Sequence, residues 1–268
     1  MSKAGEIQAL KTFAERYGDE LPSKHELDVA ATFQLSWDQL GETARRTLRA
    51  IAEMAPAPVP VRILRTVLEM EEIGLKDPLG NSLAELERLS LAERDEECGP
   101  SIHRLVRSFV IHIIPREESL HAAVAEALDR EMVRVKNQAD TQAYRELDQI
   151  VPHAEVLARA DGVWPQTNVD LWDCVGTHHQ NHGRYVLAKG ALTASLQEAE
   201  ASFEPGHPSI AISQSNLALV LQGLGELAEA RDLLRRAYRS FLDKLGPNHP
   251  NTKTVLGNLR SVGGEPTD

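Results

Sequence analysis

Three histidines are the first side chains whose spacing suggests chemistry. His178, His179 and His182 lie in the run THHQNHG. Imidazoles at i and i+4 share one helix face and can chelate zinc. Hydrolytic zinc chemistry also needs an acidic general base, such as the Glu within H-E-x-x-H, and none stands between these histidines. The stretch therefore reads as a helix with polar ends, and no metal is expected. Phosphate chemistry needs a Gly-x-x-x-x-Gly-Lys-Ser/Thr loop and an acidic strand end for Mg²⁺, and the sequence has neither. Cys98 and Cys174 are the two cysteines, too few for a disulfide framework and at no metal-binding spacing. No residue is assigned a catalytic role, no cofactor is implied, and a non-enzymatic protein is expected.

The elements that would carry these side chains repeat. His207-Pro208 recurs 42 residues later as His249-Pro250, and Asn216-Leu217 recurs as Asn258-Leu259. The same step backwards places Gly225 on Gly183, Ala230 on Ala188, Leu234 on Leu192 and Pro247 on Pro205. Each unit reads as two helices. In the clearest, residues 209–223 form the first, with Ile210, Leu217, Val220, Leu221 and Leu224 as its apolar stripe. Gly225 makes the turn. Residues 226–243 form the second, with Leu227, Leu233, Leu234 and Phe241. Gly246-Pro247 stops it. Ala218, Ala230 and Ala237 stand where helices must approach closely.

Gln214-Ser-Asn-Leu217-Ala218-x-x-Leu221, then Gly225, Ala230-x-x-x-Leu234 and Ala237, resembles a tetratricopeptide repeat. The period and the GPNHPNT linker are similar to the extended version found in kinesin light chains. The resemblance covers residues 166–260. The earlier unit departs from the pattern, with Val175-Gly176 for Leu-Ala and Ser195 for the last Ala. The last unit ends after one helix. The resemblance implies an α-α superhelix whose first helices line a concave groove, with protein or peptide as the partner. Asn216 and Asn258 then stand on that lining. An Asn amide both donates and accepts, so it can hold an extended peptide backbone, or equally bridge neighbouring helices. Ser215, Leu219, Gln222 and Thr254 are expected on the same face.

Upstream, residues 27–54 carry Val29, Phe33, Trp37, Leu40, Leu48, Ile51 and Met54 at helical spacing. Three prolines between Ala55 and Pro60 stop that helix. A second helix holds Val61, Leu64 and Leu68, and a third, near 78–89, holds Leu79, Leu83 and Leu86. Strands are expected at Ser90–Arg94 and Ser101–Leu105 around the turn Asp95–Pro100. Three helices followed by a β-hairpin is a winged-helix outline. The segment from VAATFQLSWDQL to SIHRLV resembles the winged helix of NB-ARC (STAND-class) signalling ATPases. There it links a nucleotide-binding domain to C-terminal sensor repeats. Ile102-His103-Arg104 stands where that family carries Met-His-Asp. The resemblance implies that His103 reaches a nucleotide only if a nucleotide-binding domain is supplied in cis or in trans. Lacking the P-loop, the chain is expected to be the C-terminal part of a larger STAND protein or a stand-alone relative.

Residues 116–165 read as a helical connector, with Leu120, Val124, Leu128 and Met132 as a stripe, then Ala143, Leu147, Ile150, Val156 and Leu157 around Pro152-His153. Residues 1–24 read as a short amphipathic helix (Ile7, Leu10, Phe13, Ala14) and linker. Residues 25–115 form the winged-helix block, and 261–268 a frayed polar tail. The fold class is mainly α. Of 268 residues, 42% are hydrophobic and only 4% aromatic, and the net charge is −11. Aliphatic side chains must therefore build the core. An acidic chain repels nucleic acid unless a basic patch intervenes. The third helix carries Glu85 and Glu87 against Arg88, the hairpin adds Glu93, Asp95, Glu96 and Glu97, and Arg62 and Arg65 are too few to offset them. A DNA-binding regulator acting through the winged helix is the alternative reading. No apolar run reaches the roughly 20 residues a membrane span requires, and no signal-peptide pattern opens the chain. The expected location is the cytoplasm.

Overall fold

A computed structural model describes residues 26–71, 76–95, 97–138 and 141–265. The expected helix and linker over residues 1–24 lie outside these. The described chain is mainly helical, with a two-stranded sheet. Its order is α1 (Glu26–Gln39), α2 (Glu42–Ala52), α3 (Val61–Leu68), α4 (Pro78–Arg88), β1 (Glu93–Asp95), β2 (Gly99–Ser101), α5 (Arg104–Ile113), α6 (Glu118–Gln138), α7 (Thr141–Ala158), α8 (Pro165–Asn181), α9 (Tyr185–Ser202), α10 (Pro208–Gly223), α11 (Leu227–Leu245) and α12 (Pro250–Ser261). The described residues form two compact units: those up to Glu131 with residues 141–157, and residues 132–138 with those from Ala158 onward.

In the first unit, the helical pattern over 27–54 is two helices. Gly41 breaks it with an extended backbone, φ −65° and ψ 160°. Arg45 donates from Nε to the carbonyl of Trp37 and from Nη2 to that of Asp38, satisfying oxygens that the end of α1 leaves open. Gly41 N–H donates to Glu85 Oε1 at 2.8 Å, tying the break to α4. The periodicity hid this break because Trp37, Leu40, Leu48 and Ile51 are all buried. Leu64, Leu68, Leu79, Leu83 and Leu86 join them in the core.

The hairpin is shorter than expected. Glu93 pairs antiparallel with Ser101, and Asp95 with Gly99. The segment expected to continue as a strand to Leu105 turns helical at Arg104 because His103 caps α5: its Nδ1 accepts from Leu105 N–H at 3.2 Å. Gly99 cannot be replaced cheaply. Its φ is +101°, and a Cβ would lie 2.1 Å from the Val59 carbonyl oxygen. Val59 N–H in turn donates to the Pro100 carbonyl.

The second unit is an array of helix pairs. α8 with α9 and α10 with α11 each turn on a left-handed glycine, Gly183 (φ +69°) and Gly225 (φ +80°). Arg184 N–H donates to the His179 carbonyl and Glu226 N–H to that of Leu221, which closes both helix ends the same way. His207 and His249 cap α10 and α12. Each Nδ1 accepts from the N–H two residues on, Ser209 and Asn251, at 3.2 Å. Pro208 and Pro250 follow as the first helical residues, where no N–H is needed. The His-Pro recurrence is thus a cap and a helix start.

One continuous apolar core runs through these helices, from Val169 through Leu192, Leu217, Leu221 and Leu234 to Leu259 and Val262. Ala218, Ala230 and Ala237 have no exposed surface. Leu227 departs from expectation: it begins α11 and is 44% exposed. Gly176 replaces the alanine of the pattern because a Cβ there would lie 2.4 Å from Leu192 Cγ. The expected tail is held as far as Gly264. Val262 is buried, and Arg231 donates from Nε and Nη2 to its carbonyl.

Candidate functional site

α10 buries nearly its whole circumference. Apart from half-buried Pro208 and Gln222 near its ends, what remains is one narrow stripe: Ile212 at 39% exposure, Asn216 and Leu219 half-buried, and Gly223 exposed. These positions fall at i, i+4, i+7 and i+11, the spacing of a single helix face. Helix α12 repeats the stripe in register, with Thr254 exposed, Asn258 half-buried and Ser261 exposed. Of the residues expected here, Asn216, Leu219, Thr254 and Asn258 share this face. Ser215 and Gln222 do different work. Ser215 lies at the edge of the face and is buried, 8% exposed. Gln222 donates from Nε2 to Ser261 Oγ at 3.2 Å, and Ser261 Oγ donates to the Asn258 carbonyl at 2.7 Å. This chain links α10 to α12 at one end of the stripe.

Sequence reasoning missed Ile212. Its partners one repeat away are Asp170 and Thr254, so no shared residue type marks the position. Tyr185 was also missed. Its ring fills the space above Gly223, where a Cβ would come 2.7 Å from Tyr185 Cε1. It adds a partly exposed aromatic surface beside the last turn of α10.

Beneath the stripe lies a buried polar cluster. Ser195 Oγ donates to Asp173 Oδ1 at 2.8 Å and lies 2.8 Å from Ser213 Oγ, and Ser213 Oγ is 3.5 Å from Asp173 Oδ2. The three residues come from α9, α8 and α10. Ser195 replaces a packing alanine with a hydroxyl that answers a buried carboxylate. Ser209 Oγ donates to Gln166 Oε1 at 2.9 Å, a further link between α8 and α10.

The histidine run closes α8. His178 and His179 are buried and His182 is exposed. The His182 ring packs at a tilt against that of His178 with centroids 4.3 Å apart, and its Nδ1 donates to the His178 carbonyl at 2.9 Å. His179 occupies a packing position, as its register with Leu221 implies.

In the first unit, His103 is exposed and lines an open pocket of about 370 Å³ with Pro56, Glu93, Ser101, Ile102 and Arg104. Its Nδ1 is committed to the α5 cap. The two basic residues weighed for DNA contact are paired with carboxylates. Arg62 Nε meets Glu131 Oε2 at 2.8 Å and its Nη2 meets Glu146 at 3.3 Å, while Arg65 Nη1 meets Asp77 at 3.2 Å. The Gly80 backbone N–H, and after it Arg65, hold the Asp77 carboxyl below its ordinary range despite the opposing effect of desolvation.

No helix among the described residues is long and apolar enough to cross a membrane. The family model described as "Tetratricopeptide repeat" matches residues 169–243 and, overlapping them, 210–259. Repeats of this kind are generally protein–protein interaction modules. The paired helices, the glycine turns, the small residues at their contacts and this match together identify residues 169–259 as tetratricopeptide repeats.

Proposed function

We propose that this protein is a non-enzymatic regulatory or scaffold protein of the cytoplasm that captures an extended peptide or protein segment on the first-helix face of its repeats. The observation that carries the reading is the solvent-facing stripe on α10 that recurs in register on α12, with Asn216 and Asn258 at matching positions. Each carboxamide can donate to and accept from a peptide backbone, so recognition tolerates sequence variation. Leu219 and Thr254 flank the pair, and the link from Gln222 to Ser261 fixes the spacing of the two helices.

The block over residues 25–115 serves, in this reading, as a winged-helix adaptor of a STAND-type switch, with a nucleotide-binding domain in cis or in trans. Support comes from the order of α2, α3, α4 and a hairpin before the capped α5, and from His103 beside an open pocket with its Nε2 uncommitted to the cap. DNA binding is disfavoured because Arg62 and Arg65 are already neutralised by carboxylates. The test is partner capture by the full chain and by Asn216→Ala/Asn258→Ala. The double variant should retain its fold by circular dichroism and lose the captured species. An unchanged capture profile refutes the assignment of the face.

A further inference from the structure

We infer that the groove of the repeats, where α10 and α12 form it, selects an uncharged, apolar peptide segment. The inference rests on the reading of that face as a peptide groove, and it names the chemistry of the occupant. Helix α10 supplies the centre of the face, and its sixteen residues include no Asp, Glu, Lys, Arg or His. The surface it offers is Ile212, Asn216 and Leu219, ending at Gly223 under the Tyr185 ring. The matching positions on α12, Thr254 and Asn258, are also uncharged. Lys253 and Arg260 on α12 do not share this face. By register they match Ala211 and Ala218, both buried, so they lie on the sides that pack in the preceding repeat.

An ionised side chain laid over Ile212 and Leu219 would lose hydration and meet no opposite charge on α10, which makes charged segments poor occupants. An apolar side chain in the same place gains burial against Ile212, Leu219 or the Tyr185 ring, while Asn216 and Asn258 serve the backbone it hangs from. Over α10 and α12, specificity then arises by excluding charge from an uncharged floor, which Asp170 on α8, the repeat mate of Ile212, bounds on one side. Helices about 10 Å apart and extended residues about 3.3 Å long give roughly three residues from α10 to α12.

The experiment is selection of a random peptide display library on the immobilised full chain, at low and high salt, with three proteins: wild type, Leu219→Lys and Asn216→Ala/Asn258→Ala. Wild type should enrich uncharged peptides rich in aliphatic and aromatic residues, with less than twofold change between salts. Leu219→Lys should shift the enriched pool toward acidic peptides, a gain that a misfolded variant could not give. The double asparagine variant should reduce enrichment at least tenfold. Enrichment of acidic or basic peptides on wild type that is lost in the asparagine variant would overturn the charge inference and leave the groove reading standing. Absence of enrichment, or a pool indifferent to the asparagines, would overturn both.

Discussion

Ser195 Oγ donates to Asp173 Oδ1 at 2.8 Å inside the repeats, with Ser195 fully buried and Asp173 only 6% exposed. A position that alanine would fill in a regular repeat thus holds a donor for a buried carboxylate contributed by the preceding helix.

Ser195→Ala should therefore destabilise the protein by about 1–3 kcal/mol, since removing this donor leaves part of the Asp173 carboxylate's desolvation uncompensated. Asp173→Ala combined with Ser195→Ala should cost less than the two single changes summed. Urea unfolding of the four proteins measures this coupling, and strict additivity would show that the bond contributes nothing.

The same capping geometry at His207 and His249 predicts a different pattern. His207→Ala should cost about 1 kcal/mol, while His207→Asn should cost less, because the Asn side-chain oxygen can accept from the same backbone N–H. Chemical denaturation of both variants checks the order. Equal losses would mean that the imidazole matters by packing, for instance through its stack on the Phe203 ring at 4.4 Å.

His153 sets a pH dependence. Its Nε2 donates to the Pro58 carbonyl at 3.0 Å, and burial lowers its pKa against the opposing pull of that hydrogen bond. Its Nδ1 is buried with no partner among the described residues. The fold therefore keeps the ring neutral, while the unfolded chain takes up the proton near the ordinary value of about 6.5. The unfolded state binds more protons, so stability rises with pH. The contribution is intact above about pH 6.5 and is lost as pH falls toward the lowered folded value. His153→Gln keeps a donor for Pro58 and does not titrate. Unfolding free energies between pH 7.5 and 5 should fall less steeply in the variant, and parallel profiles would remove His153 as the cause.

The repeats were legible because their period is written in residues with fixed backbone duties. Gly183 and Gly225 turn left-handed, and His207-Pro208 and His249-Pro250 each cap and start a helix. The pattern revealed the recurrence of these residues but not the capping role of the histidines, which depends on ring orientation. Asn216 and Asn258 were legible for the same reason of register. Ile212 was not, because its repeat mates Asp170 and Thr254 differ in type. The Gln222–Ser261 and Asp173–Ser195 bonds join residues distant in sequence, where period carries no information. Upstream, apolar periodicity located the helices but passed over the break at Gly41. The Gly41 N–H at that break is held by Glu85, 44 residues away. Leu227 shows the opposite failure. Its apolar side chain fits the helical stripe, yet the helix start leaves it facing water.

Asn216 and Asn258 are proposed to act as one peptide-backbone clamp. Its most direct test is calorimetric titration of the peptide best enriched by the wild-type chain into wild type and Asn216→Ala/Asn258→Ala. Two lost hydrogen bonds at roughly 1 kcal/mol each predict a Kd weakened by about thirtyfold with an unchanged unfolding midpoint. The same Kd in both proteins, with the fold intact, would contradict the account.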